Sequence, residues 1–170
     1  MILFRALHKK YVDSWNDYEK GSSFKEGARW NLAGTPTMYF SANVQNAMLE
    51  LTNYAPTPKM ANGLFVMGVF ECPSLRLKEV QPENLPTGWE QYPFHKDTQQ
   101  YGSDVLLNND YDGLIVPSCA INTELAASLH NEVRRSLYAN IVLNPEKETV
   151  KKMTMVDTYT PVYSNRMFTA

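Results

Sequence analysis

The chain has 170 residues, 16 basic and 18 acidic side chains and a formal charge of -2, so no global field draws it toward nucleic acid or an anionic membrane. Its length suffices for one domain that buries about two thirds of the unfolded surface around a single core, without a disulfide or metal staple. Two cysteines, Cys72 and Cys119, make no disulfide framework, and a reducing cytoplasm is the simplest home.

The opening MILFRALHKK meets Arg5 after too few apolar residues for a signal-peptide core, and no apolar run approaches the ~20 residues of a membrane span. A soluble, unexported protein is expected, its first strand at residues 2–7. GARWN, residues 27–31, reads as a turn punctuated by Gly21, Gly27 and Gly34, which accept backbone angles a β-carbon forbids. On such a turn Arg29 and Trp30 are poorly placed for a core and well placed for a ligand; the alternative is Trp30 at a core edge with Arg29 in water.

A strand is expected over residues 37–41, then Ser41 as N-cap of a helix in which Val44, Ala47, Met48 and Leu51 recur at helical spacing. Proline and glycine gather at 54–63 and 81–93, read as surface loops. Further strands are expected at 64–71, 75–80, 113–118 and 137–143, with a weaker one in MTMVDTYT, and further helices from Asp97 to about Leu107 and from Asn122 to about Arg134. Strands outnumber helices without alternating with them, which points to an α+β domain, a mixed or antiparallel sheet with a few packed helices.

Five polar residues stand where the local pattern does not ask for them. Arg5 interrupts an apolar strand on the face of Leu3 and Leu7; it is either an edge residue in water or a cation that needs an anion. Arg29 is the turn arginine, and two planar forks of N–H donors suit a pyrophosphate or carboxylate. Tyr39 lies near a strand end, where its ring could face a ligand or join the core or its rim. Glu50 falls at the margin of its helix's apolar stripe, between buried and wet. Ser118 follows Pro117 at the end of a buried-type strand, with no adjacent base to make it a nucleophile, so it suits positioning. His8, His95 and His130 lack the paired spacing of a metal site.

In the order Arg5, GARWN, PTMYFSANVQNAMLE, GLIVPS and NIVLNP, from about Phe4 to Asn144, the chain resembles the RES-domain family, named for an Arg, a Glu and a Ser. Its members are toxins of bacterial toxin–antitoxin pairs. The resemblance implies one ADP-ribosyltransferase-like domain over residues 1–170, with a core at about 4–144 and a C-terminal strand or extension at 145–170. It implies an enzyme that takes NAD as substrate, with no further cofactor and no metal. The nicotinamide–ribose bond would be cleaved and ADP-ribose passed to water or phosphate, a glycohydrolase or phosphorylase. A mono-ADP-ribosyltransferase acting on a protein is the alternative enzyme, and a catalytically silent interaction module with the same fold is the alternative outside that class.

Carried over residue by residue, Glu50 would stabilise the ribose cation and Arg5 and Arg29 would clamp the pyrophosphate. Tyr39 would stack on or border the nicotinamide, and Ser118 would bond the nicotinamide end or the ribose. The partner implied is a helix-turn-helix, Xre-type antitoxin that blocks the cleft, with no direct binding of nucleic acid or membrane. The segment 119–139 is longer than simpler members lead one to expect, and it reads as a lid, a homodimer contact or the antitoxin-facing element.

Overall fold

Alternating apolar side chains build the first strand, β1 (Ile2–His8), whose Leu3 and Leu7 are buried while their neighbours are not. The computed structural model describes residues 1–80, 84–120 and 140–164. β2 (Met38–Ser41), β3 (Phe65–Glu71), β4 (Leu77–Glu79), β5 (Gly113–Val116), β6 (Asn140–Leu143) and β7 (Thr154–Tyr159) join β1 in one sheet of order β4-β5-β6-β2-β1-β3-β7. Every pairing is antiparallel except β4 with β5, so the sheet is mixed and the class is α+β. Among the described residues no helix is long and apolar enough to cross a membrane.

The pairing along β1 is uneven. Against β3 it runs through seven registered pairs from Ile2↔Glu71 to His8↔Phe65. Against β2 it has one, Phe4↔Ser41. Past that pair the opposed residues, Arg5 with Phe40 and Ala6 with Tyr39, are not joined, and a seam opens in the middle of the sheet. One cross-strand row, Phe4↔Ser41↔Asn140↔Val116, therefore marks the closed end of the seam.

Among the described residues four α-helices flank the sheet: α1 (Ser22–Glu26), α2 (Val44–Thr52), α3 (Pro58–Leu64) and α4 (Lys96–Leu107). The N-cap of α2 is Asn43, not Ser41. Asn43 is extended, at φ -144 and ψ 156, and its side chain accepts from the Asn46 N–H at 2.8 Å, whereas Ser41 still belongs to β2 and cannot turn. α3 occupies most of the proline-rich stretch read as a loop. There Thr57 accepts from the Met60 N–H at 3.2 Å and Pro58 takes the first turn, where its missing N–H costs nothing. β5 ends at Val116 because Pro117 has no N–H for the ladder. The helix expected at 122–134 lies outside the described residues.

Among the described residues three apolar clusters hold the fold. Leu3, Leu7, Met38, Phe40, Phe70, Ile141 and Leu143 pack together on one face of the central strands. Trp30, Val105, Leu106, Leu114, Val116 and Val142 join α4 to the other side, and Leu51, Ala55, Ala61 and Tyr163 seat α2 and α3. Trp30 is thus a core residue, only 1% exposed, which agrees with the reading that set it against the core and not with the one that held it out for a ligand. α4 reaches it through Gly102, where a β-carbon would stand 2.1 Å from the Trp30 carbonyl oxygen.

Candidate active site

The seam between β1 and β2 leads into a cavity of about 220 Å³. It is bordered by Phe4, Arg5 and Ala6 of β1, by Tyr39, Phe40 and Ser41 of β2, and by Ala47, Glu50 and Leu51 of α2, with Asn140 at one end. Consecutive residues of one strand point to opposite faces. That three in a row from each of two strands border one cavity follows from the gap between them.

Glu50 enters from α2. Its Oε1 accepts from Ser118 Oγ at 2.7 Å and from Asn140 Nδ2 at 2.9 Å, and its Oε2 accepts from Asn53 Nδ2 at 3.3 Å. The sheet order explains this convergence. β5, β6 and β2 are neighbours, Asn140 pairs with both Val116 and Ser41, and Ser118 comes two residues after Val116. Ser118 is fully buried, and its Oγ also accepts from the Ala120 N–H at 3.1 Å. Among the described residues all three donors to Glu50 are neutral and no ion pair neutralises the carboxylate.

Arg5 stands on the Leu3 and Leu7 face, its guanidinium carbon 5.6 Å from the Phe40 ring centre. Its one hydrogen bond among the described residues is a long one, 3.4 Å from Nη1 to the Trp15 carbonyl, and none of the described carboxylates pairs with it. Burial pulls its pKa down to about 10. A half-buried cation with no carboxylate partner among the described residues attracts an anion strongly.

Tyr39 borders the cavity with its ring, but its hydroxyl is engaged elsewhere. The hydroxyl donates to Asn31 Oδ1 at 2.8 Å and accepts from the Trp30 N–H at 3.0 Å, tying GARWN to β2, and burial pushes the phenol well above its usual range. Asn31 is fully buried and donates to the carbonyls of Ser23 and Leu32 at 2.7 and 2.9 Å. Arg29 stands apart from the cavity lining. Its Nη1 donates to the carbonyls of Trp89 and Gln91 at 2.6 and 2.9 Å, and its guanidinium carbon lies 5.1 Å from the Phe94 ring centre.

The structure therefore gathers Arg5, Tyr39 and Glu50 round one cavity, bonds Ser118 to Glu50, and places Arg29 on the 89–94 loop. Sequence reasoning missed Asn140, Asn46 and Tyr54. Asn46 donates through Nδ2 to Ser41 Oγ at 3.0 Å and to Asn140 Oδ1 at 2.7 Å. It precedes Glu50 by four residues, so the two share a helix face; that spacing was the available signal. Tyr54 borders the cavity while 74% exposed, and nothing local distinguished it from the other tyrosines.

Residues 2–162 match the family model described as RES domain. A protein named Toxin Res from Yersinia enterocolitica is 29% identical over 126 residues, 73% of this chain and 80% of that protein. A second Toxin Res, from Photorhabdus laumondii subsp. laumondii, is 26% identical over 147 residues, 85% of this chain and 82% of its own length. Because the family match runs through nearly every strand and both sides of the cavity, this chain belongs to the RES-domain family.

Proposed function

We propose that the chain is the toxin of a toxin–antitoxin pair and that it breaks the bond between nicotinamide and ribose in NAD, passing ADP-ribose to water or phosphate. The family and the name of the two relatives support the first part. One observation carries the second: Glu50, a carboxylate oriented by neutral donors, borders a cavity that Arg5 also borders, and among the described residues neither has an oppositely charged partner.

Glycosidic cleavage leaves positive charge on the ribose C1′ and its ring oxygen, and a fixed carboxylate beside them lowers that barrier. Glu50 suits this as a charge rather than as an acid. Oε1 is occupied by two donors, while Oε2, with one donor at 3.3 Å, keeps lone pairs for a ribose hydroxyl. No proton has to be delivered to the leaving group. When the C1′–N bond breaks, its electron pair leaves with the pyridinium, which becomes neutral nicotinamide; water then adds at C1′ and loses its proton to solvent, or phosphate adds directly. Arg5 would pair with the pyrophosphate. At about 220 Å³ the cavity is smaller than the ~300–1,000 Å³ of sites that enclose a drug-sized ligand, which suits one end of the dinucleotide with the remainder along the surface. Arg29 would reach the phosphates from the rim. A helix-turn-helix antitoxin that closes this opening would silence the enzyme.

The test is nicotinamide release from NAD by purified protein, with and without phosphate, beside Glu50→Ala. Release slowed ~100-fold or more in the variant is expected, and stimulation by phosphate would identify phosphorolysis. No release from folded wild type free of any partner would overturn the proposed reaction.

A further inference from the structure

Asn46 is 1% exposed and is absent from the cavity lining, yet it is one residue removed from the carboxylate. Its Nδ2 donates to Asn140 Oδ1 at 2.7 Å, and Asn140 Nδ2 donates to Glu50 Oε1 at 2.9 Å. The same Nδ2 donates to Ser41 Oγ at 3.0 Å. Asn46 Oδ1 is buried with no hydrogen-bond partner among the described residues.

The carboxylate at the far end determines the direction of the chain. Turning the Asn46 amide over would let Oδ1 accept from the Ser41 hydroxyl but would put the buried Nδ2 in the partnerless place instead, so one polar group stays bare either way. The turned amide, however, would present its oxygen to Asn140 Oδ1, and Asn140 would have to turn as well, setting its own carbonyl against Glu50. An ionised carboxylate only accepts. The observed orientation therefore leaves one oxygen unsatisfied on Asn46 and spares Glu50 a repulsive contact.

We infer that Asn46 is a positioning residue for Glu50. By pinning the Asn140 amide it keeps a donor on Oε1 and so aims Oε2 into the cavity. This rests on the proposed NAD cleavage for its kinetic consequence but not for its geometry. A purely structural Asn46, tying α2 to β2 and β6, would instead lower thermal stability and leave the folded enzyme's turnover alone.

The experiment uses the full-length wild type with Asn46→Ala and Asn140→Asp, the second being nearly isosteric at a partly exposed position in case the first fails to fold. Nicotinamide release is split into kcat and KM for NAD, and the side-chain amide signals of Asn140 are followed by NMR in wild type, Asn46→Ala and Glu50→Gln. Expected are a fall in kcat of roughly 10- to 100-fold with KM within about threefold, and displaced Asn140 amide signals in Asn46→Ala as in Glu50→Gln. Unchanged Asn140 signals, or a kcat loss no larger than the folded fraction explains, would overturn the inference. If wild type releases no nicotinamide while Asn46→Ala still displaces the Asn140 signals, the proposed reaction fails and the positioning stands.

Discussion

At the residue scale the site rests on two opposite treatments of charge. Glu50 is held by three neutral donors, whereas Arg5 has a single long bond and no carboxylate partner among the described residues. Arg5 is protonated at neutral pH, and the folded chain holds its charge less favourably than the unfolded one does. Its folded-state pKa, about 10, lies below its ordinary value, so the unfolded state binds more protons between the two. Stability therefore rises as pH climbs through about 10, and below it the penalty is fully present. Arg5→Met removes the half-buried charge and keeps much of the volume. The melting temperature of this variant is expected to equal or exceed that of wild type at neutral pH, with the gap narrowing as pH rises past about 10, while ligand binding is lost. Thermal scans at neutral and alkaline pH, with and without ADP-ribose, check both halves; a clear destabilisation at neutral pH would show that Arg5 holds the fold together.

At the element scale, the GARWN turn is clamped from two sides. β2 reaches it through the Tyr39 hydroxyl, and α4 lies against it with no room for a side chain at Gly102, where a β-carbon would come within 2.1 Å of the Trp30 oxygen and 2.7 Å of its carbonyl carbon. Backbone cannot swing aside as a flexible side chain can. Gly102→Ala must push α4 from the turn, and its expected cost lies at or above the top of the ~1–3 kcal/mol range for overpacked cores. The midpoint of urea unfolding measures it, and a shift below about 1 kcal/mol would mean that α4 is not held by this contact. The apolar face of α2 was read from its spacing. Its cap was misplaced because Ser41 has the right chemistry but lies in a strand, a fact that depends on its partners Phe4 and Asn140.

At the scale of the whole molecule, β1 and β2 share a single registered pair in the middle of the sheet, and the cavity lies along that seam. A ligand that binds only the folded state raises its stability by mass action, about 2.7 kcal/mol at one hundred times its Kd. For a chain of 170 residues this corresponds to a rise in Tm of roughly 5–10 °C. ADP-ribose, which keeps the pyrophosphate and has no bond to nicotinamide left to break, is the suitable probe, read by differential scanning fluorimetry. No rise in a folded, partner-free sample would favour a silent interaction module over an enzyme.

Much of this was readable along the chain because it is local. Apolar runs and alternation marked the strands, helical spacing marked α2, a helix was expected over most of α4, and Arg5, Tyr39, Glu50 and Ser118 drew notice as polar residues the local pattern does not ask for. What stayed hidden depends on pairing between distant segments. Asn140 bonds Glu50 across 90 residues, and Asn46 matters only because Asn140 arrives opposite Ser41. The proline of α3 looked like a breaker until its place in the first turn was known. Residue types and their spacing determined the elements and the candidate chemistry by themselves. Strand order and register, set by burial of the two sheet faces, decided which candidates meet, and they left Arg29 on the 89–94 loop with its guanidinium bonded to carbonyls.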